Sequence, residues 1–410
     1  MKNMQMKKIL IKALIAAAIM TNSSMTYAQT IFSKPFNTVH GTAPFSKIDD
    51  SQWMPAIDAG IEQAKAEVEA IATQKAEPDF ANTIEALENT GRALDRVLNV
   101  FYPLMSADAS DAMMEIDMEA SAKLSDYSTW LILNEQLWQR VKAVYDRRDS
   151  LGLNKEQSML LQNTYDSFAL NGANLQGEER EKFKKLSADL SRLTTAFGQN
   201  VLKELNTYEV YLSKDDLAGL PESSVTAAAE AATAKGRKGE YLFTLDQPVY
   251  TAFMKYSSRR DLREKMYRLY SGRNMKGEYS NLENIKSISQ TRLELAKLLG
   301  ADNYAAHSLR RTMAQKPEAV YNLLNSLREA YRPALDAELK ELADFASKYE
   351  GESVTIKPWD YSYYSNKLKA DKYSFDEEAL RPYFELDNVI EGVFGLATKL
   401  YGIKFTKNDA

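Results

Sequence analysis

Side chains suited to metal or nucleophile chemistry are scarce in this chain. It holds two histidines, His40 and His307, and no cysteine. A thiolate nucleophile, a cysteine zinc site and a disulfide are therefore excluded. A catalytic zinc site takes three protein ligands and keeps a fourth position open. Its common helical form, H-E-x-x-H, sets two imidazoles one turn apart on one face, and the glutamate between them activates a bound water. No such segment occurs between Met1 and Ala410. His307 closes the helix-like run Asn303-Tyr304-Ala305-Ala306-His307, and both histidines are read as structural. The acidic pairs Asp49-Asp50, Asp215-Asp216 and Glu377-Glu378 are read as solvated helix starts, where carboxylates complement the helix dipole. Arg259, Arg260 and Arg263 lie near Tyr256 and Tyr267. They could fork onto a peptide carboxylate, but Asp261 and Glu264 sit beside them, so pairing on a helix surface is expected. Lys235-Gly236-Arg237-Lys238-Gly239 lacks the strand-to-helix setting of a phosphate loop and reads as a solvated turn. No catalytic, cofactor-binding or metal-binding residue is assigned in this chain.

The elements around these residues are helical. Trp53, Ile57, Ile61, Ala64, Val68 and Ile71 recur at helical spacing behind a candidate cap, Ser51, and Pro78 breaks the run. A second stripe, Ile84, Leu87, Leu94, Val97, Leu98 and Phe101, ends before Pro103. A third, Phe183, Leu186, Leu190, Leu193, Phe197, Val201 and Leu205, suits antiparallel packing of long helices. A fourth runs from Val320 through Leu327, Tyr331, Leu335 and Leu342 to Tyr349, and Pro333 within it should kink or divide the helix. Two short β-type runs interrupt the pattern, Tyr208–Leu212 and Tyr241–Leu245, with an alanine-rich helix, Val225 to Ala234, between them. They predict a small antiparallel pair with a helical insertion. The aromatic run Trp359, Tyr361, Tyr363, Tyr364, Tyr373, Phe375, Tyr383 and Phe384 reads mainly as packing between helices.

Composition bounds the class. Hydrophobic residues make up 44% and charged residues 27%, which fits neither disorder nor a membrane bundle. Only 17 glycines and 11 prolines favour long helices over many short strands. A net charge of -5 is not that of a nucleic-acid binder. The amino terminus reads as an export signal: Lys2, Lys7 and Lys8, an apolar stretch from Ile9 to Met20 interrupted by Lys12, then Thr26-Tyr27-Ala28. Cleavage is expected after Ala28. Residues 1–28 are then a signal peptide, and an acidic chain with no membrane anchor is exported, to the periplasm in a bacterium.

Several segments carry a family resemblance. They are His40-Gly41-Thr42-Ala43-Pro44-Phe45, then Phe80-Ala81-Asn82-Thr83-Ile84-Glu85-Ala86-Leu87-Glu88 followed by Leu94-Asp95-Arg96-Val97, and then Tyr256 to Tyr267. Lys297-Leu298-Leu299-Gly300, Met313 to Glu318, Pro358-Trp359-Asp360-Tyr361, Tyr363-Tyr364 and Leu380-Arg381-Pro382-Tyr383-Phe384 follow in order. From about Thr38 to Phe405 the chain resembles the peptidyl-dipeptidase and oligopeptidase A branch of the thimet-oligopeptidase family of zinc metallopeptidases. The resemblance implies a mostly helical, elongated, two-lobed molecule with a deep channel that admits short unstructured peptides. It also implies a zinc ion on an H-E-x-x-H helix, with a further glutamate ligand, and these elements would lie beyond Ala410.

The expected architecture is therefore all-α, elongated and two-lobed, with a minor antiparallel β pair. The expected organisation is a long-helix domain over 29–206, then 207–410 carrying the β pair and helices that lead into a missing catalytic region. The expected function is the non-catalytic N-terminal portion of an exported peptidyl-dipeptidase or oligopeptidase acting on short peptides. Zinc belongs to the full-length family and is not bound by this chain, which alone is inactive. The alternatives are a catalytically dead helical protein that binds peptides or proteins, and a fragment with no stable life of its own.

Overall fold

The computed structural model describes residues 30–374 and 377–407, so the expected signal peptide lies outside the described residues. These residues are helical almost throughout, with one two-stranded antiparallel sheet. That is the all-α architecture with a minor β pair that the periodicities predict. The chain divides into two units: the residues up to Ala196 together with Ser287–His307, and Phe197–Lys286 together with the residues from Ser308 onward.

In the first unit, helix α1 (Trp53–Ala72) buries the predicted stripe, Trp53, Ile57, Ile61, Ala64, Val68 and Ile71. It starts one residue later than a cap at Ser51 would place it. A 3-10 turn, Asp50–Gln52, precedes it, and Asp49 rather than Ser51 is the cap, accepting from the Ser51 amide at 3.0 Å. After Pro78 the chain forms a turn of π-helix (Phe80–Glu85) that continues into α2 (Ala86–Glu88). Gly91, at φ +76°, then ends that run and opens α3 (Arg92–Asp108). The second predicted stripe is thus split between two elements. Helix α3 also runs through Pro103 instead of ending before it. The proline costs one backbone hydrogen bond, but Asn99, whose carbonyl loses that partner, is exposed to water.

Close approach of α1 to α3 sets the first core. A Cβ on Gly60 would lie 2.9 Å from the Leu94 Cα, so only glycine fits there. Trp53, Ile57, Ile61, Val97 and Phe101 fill this core with Phe32 and with Met113 of α4 (Asp111–Ile132). Each such side chain contributes about 1.5–3 kcal/mol when fully buried. The other end of α1 joins Ile84 and two further helices, α5 (Glu135–Asp146) and α6 (Lys155–Ala169), in a second core around Leu137, Trp138, Val141 and Phe168. Arg140 is buried against this core. Its guanidinium donates to the Gln74 and Ala76 carbonyls, to Asn82 Oδ1 at 2.8 Å and to Thr83 Oγ1 at 3.2 Å. Asn82 in turn forms a reciprocal capping box with Asp79. The Phe80–Glu88 segment is therefore tied to α5 through Arg140.

Helix α7 (Gly177–Leu205) carries the third stripe, with Phe183, Leu186 and Leu193 buried. In the second unit, β1 (Val210–Leu212) and β2 (Tyr241–Phe243) pair antiparallel with Val210 opposite Phe243 and Leu212 opposite Tyr241. The alanine-rich α8 (Glu222–Ala234) lies between them in sequence. Helices α9 (Gln247–Tyr256) and α10 (Arg260–Ser271) add Phe253, Met254 and Met266 to the core under the strands. Gly219, at φ +86°, sits where a Cβ would meet the Tyr256 carbonyl at 2.5 Å. Beyond α11 (Leu282–Leu298) and α12 (Tyr304–Leu309), the fourth stripe forms α13 (Pro317–Glu350), which Pro333 does not divide. Both Pro333 and Glu329, the residue whose carbonyl it leaves unbonded, are exposed. Helices α14 (Tyr361–Tyr373) and α15 (Leu386–Tyr401) follow.

Candidate functional site

The densest polar construction in the second unit joins α10 to the Pro358-Trp359-Asp360-Tyr361 segment. Asp360 is 0% exposed and Arg263 is 1% exposed. Arg263 Nη2 donates to Asp360 Oδ1 at 3.1 Å, Nε to the Trp359 carbonyl at 3.1 Å, and Nη1 to the Ser257 carbonyl at 2.8 Å. Arg260 reaches the same carboxylate from the solvent side, with Nη2 to Oδ2 at 2.6 Å and Nε to Oδ1 at 3.0 Å. The Lys357 amide donates to Oδ2 at 3.1 Å. The Arg263 guanidinium lies over the Tyr363 ring, 4.1 Å from its centroid, a cation–π contact strengthened by burial. Tyr364 Oη donates to Glu350 Oε1 at 2.9 Å.

Electrostatics follow from this geometry. Burial opposes ionisation of Asp360, but hydrogen bonds from Arg260, the Lys357 amide and Arg263 outweigh it and hold the carboxyl below its ordinary range. Its hydrogen bond to Asp360 pushes the Arg260 guanidinium up. Burial, followed by the bond to Glu350, pushes Tyr364 up to about 12, and Tyr363 is raised by burial and by Tyr349. The carboxylate is saturated with donors, so the cluster is a brace and not an acid–base pair.

The arginine cluster thus behaves differently from the expected surface arrangement. Arg259 does pair at the surface, with Asp261 at 2.8 Å and Asp216 at 2.6 Å. Arg263 does not, and its partner is neither Asp261 nor Glu264 but Asp360, 97 positions along the chain. No local pattern announces that pairing. The available signal was a single acid in an aromatic Pro-Trp-Asp-Tyr segment downstream of three arginines.

The other candidates separate. His40 lies exposed in a turn at φ +57°, and His307 lies on α12 with its ring 6.3 Å from Tyr304. Among the described residues no group of three or more His, Cys, Asp or Glu side chains could hold a metal ion. The donor set among the described residues therefore does not fit the zinc that the resemblance implies. Asp49 and Asp50 accept from Ser51 and Ser110. Asp216 accepts from the Ser213 amide and hydroxyl and from Arg259. The side chains of Glu377 and Glu378 lie outside the described residues. The basic loop is a surface turn as expected: Lys235 meets Glu209 at 2.8 Å, and Arg237 stacks 3.8 Å over Tyr211. The aromatic run is mostly not packed, contrary to expectation. Tyr363 and Tyr364 are buried, and Trp359 meets Tyr267 at 5.8 Å, but Tyr361, Tyr373, Tyr383 and Phe384 are exposed and Phe375 lies outside the described residues. Packing claims only the rings that α13 and α10 reach.

Two helices show a further departure from ordinary burial. Helix α13 buries only Leu342 and Ala346, against Tyr363 and Tyr364, while Tyr321, Leu324, Leu327, Tyr331 and Leu335 are exposed. Helix α15 buries none of its residues, and Val393 and Leu400 are 58% and 64% exposed. Contiguous apolar surface beyond a few hundred Å² on a soluble protein marks an interaction face.

Comparison with known proteins places these helices. The profile of Peptidase family M3 matches residues 253–410, which span the Arg263–Asp360 brace, α13 and α15. The dipeptidyl carboxypeptidase of Escherichia coli is 34% identical over 366 residues, covering 88% of this chain and 54% of that protein. Oligopeptidase A of Haemophilus influenzae is 33% identical over 380 residues, covering 91% and 55% respectively. Over most of its length the chain thus resembles peptidases of the thimet-oligopeptidase type, and its residues 253–410 match Peptidase family M3. It spans about half the length of the curated relatives it matches. The chloroplastic/mitochondrial organellar oligopeptidase A of Arabidopsis thaliana, 31% identical over 395 residues, is covered to 50%. Among the described residues, no helix is long and apolar enough to cross a membrane.

Proposed function

We propose that this chain is the non-catalytic, peptide-admitting portion of an exported zinc peptidase, of the peptidyl-dipeptidase or oligopeptidase type. The observation that carries the reading is the pair of exposed apolar helices, α13 and α15, inside the segment that matches the family profile. Large apolar side chains at helical spacing on an open face are surface built to be covered. In this reading a zinc-binding catalytic portion packs on them, and the helices described here restrict access to short unstructured peptides. The reading places the chemistry in that other portion, in keeping with the lack of a group of three or more metal-ligating side chains among the described residues. Export rests on the Lys2–Ala28 segment, with Gln29 as the first residue after cleavage.

The test is to assay the purified chain for peptide hydrolysis with added zinc, alone and mixed with the separately expressed catalytic portion of the Escherichia coli relative. No turnover alone, and chelator-sensitive turnover only in the mixture, supports the reading. Chelator-sensitive turnover by the chain alone overturns it. Failure of the mixture to associate favours a peptide- or protein-binding protein without catalysis.

A further inference from the structure

Between α8, β2 and α9 lies a cavity of about 460 Å³, within the roughly 300–1,000 Å³ range of small-ligand sites. Its room comes from small side chains. Ala227 and Ala231 of α8 and Ala252 of α9 line it, where larger residues would fill it. Leu242 and Phe243 of β2 and the following Thr244 also border it. Successive residues of an extended chain point to opposite sides, so part of that border is backbone. Among the described residues the sheet has two strands, which leaves one edge of β2 without a strand partner there. Asp246 is exposed and is the one charged residue among those that line the cavity. It occupies the N-cap position of α9, yet its side chain makes no cap bond. Thr244 Oγ1 instead donates to Asp246 Oδ2 at 2.6 Å and fixes the carboxylate there.

We propose that this slot binds the amino-terminal end of a short peptide whose first side chain is apolar. The ammonium pairs with Asp246, the first side chain fills the alanine-lined slot, and the peptide backbone runs beside the open edge of β2. Each part answers one feature of the cavity: charge at one end, apolar walls, and strand backbone along the side. The slot lies within the second unit, and the inference does not rest on the peptidase reading.

Fluorescence anisotropy of the full chain in chelator tests it. The probe is Leu-Ala-Ala-Ala-Lys carrying fluorescein on the lysine side chain, with its amino terminus either free or acetylated. Saturable binding of the free form is expected, with acetylation weakening it about tenfold, a large but ordinary step in affinity. Asp246→Asn should make the two forms equal. Ala252→Phe should abolish binding, and Ala227→Leu, at an exposed position, should weaken it in a chain with an unchanged melting curve. Equal binding of free and acetylated peptide to the natural chain, or no saturable binding, overturns the proposal. So does binding that survives both filling substitutions.

Discussion

Helices α1 and α15 carry apolar stripes of the same period and end with opposite fates. In α1 the stripe faces α3, α5 and the Phe32 ring, and its largest member, Trp53, is 1% exposed. In α15 Val389, Val393, Leu396 and Leu400 recur in the same way and are all exposed. Periodicity states which face of a helix is built to be covered and says nothing about what covers it. In the first unit the covering elements are other helices of that same unit. In α13 and α15 they are not among the described residues.

The contrast gives its largest expected effect in paired alanine substitutions. Trp53→Ala should cost about 3–5 kcal/mol, as for large residues removed from a core. Leu396→Ala should stay within about 0.5 kcal/mol, as for surface changes. Urea unfolding of the two variants checks both, and a comparable loss at Leu396 would mean that α15 is packed in solution.

The Arg263–Asp360 brace should rank next. Asp360→Ala leaves the buried Arg263 guanidinium without its counter-ion and should cost about 3–5 kcal/mol. The carboxyl is held below its ordinary value of 3.8. A group with a depressed folded pKa stabilises the fold above its unfolded value and loses that contribution as the pH falls through its folded value. Stability should therefore decline on acidification below 3.8, and the decline should be shallower in Asp360→Asn. Thermal melts across an acidic pH series measure it.

The smallest effect sharpens the packed side of the contrast. Gly60→Ala puts a Cβ 2.9 Å from backbone in α3 and should cost about 1–3 kcal/mol by overpacking. The same change at Gly395 of α15, where nothing lies within 4 Å, should be neutral or slightly stabilising through helix propensity. Circular dichroism melts of the two variants compare them.

Much of this fold is legible in local pattern. The α1 stripe, the strands inside the Tyr208–Leu212 and Tyr241–Leu245 runs and the surface turn at Lys235–Gly239 depend on neighbours within a few positions. What stays hidden depends on distant partners or on water. Pro103 and Pro333 look like helix ends but are tolerated, because the carbonyls they strand belong to the exposed Asn99 and Glu329. Arg263 looks like a surface arginine, and only the fold brings Asp360 to it. The exposed rings Tyr373, Tyr383 and Phe384 look like core, because aromatic residues usually are.

Amide hydrogen exchange read by mass spectrometry tests the central claim most directly, since it compares both stripes in one molecule. The account predicts slow exchange through Ile57 to Val68 and fast exchange through Asn388 to Leu400, in a chain that self-associates through its open faces or gains protection there when the catalytic portion of a relative is added. A monodisperse monomer with slow exchange across Asn388 to Leu400 would contradict it, and would show a self-sufficient domain whose apolar helices need no partner.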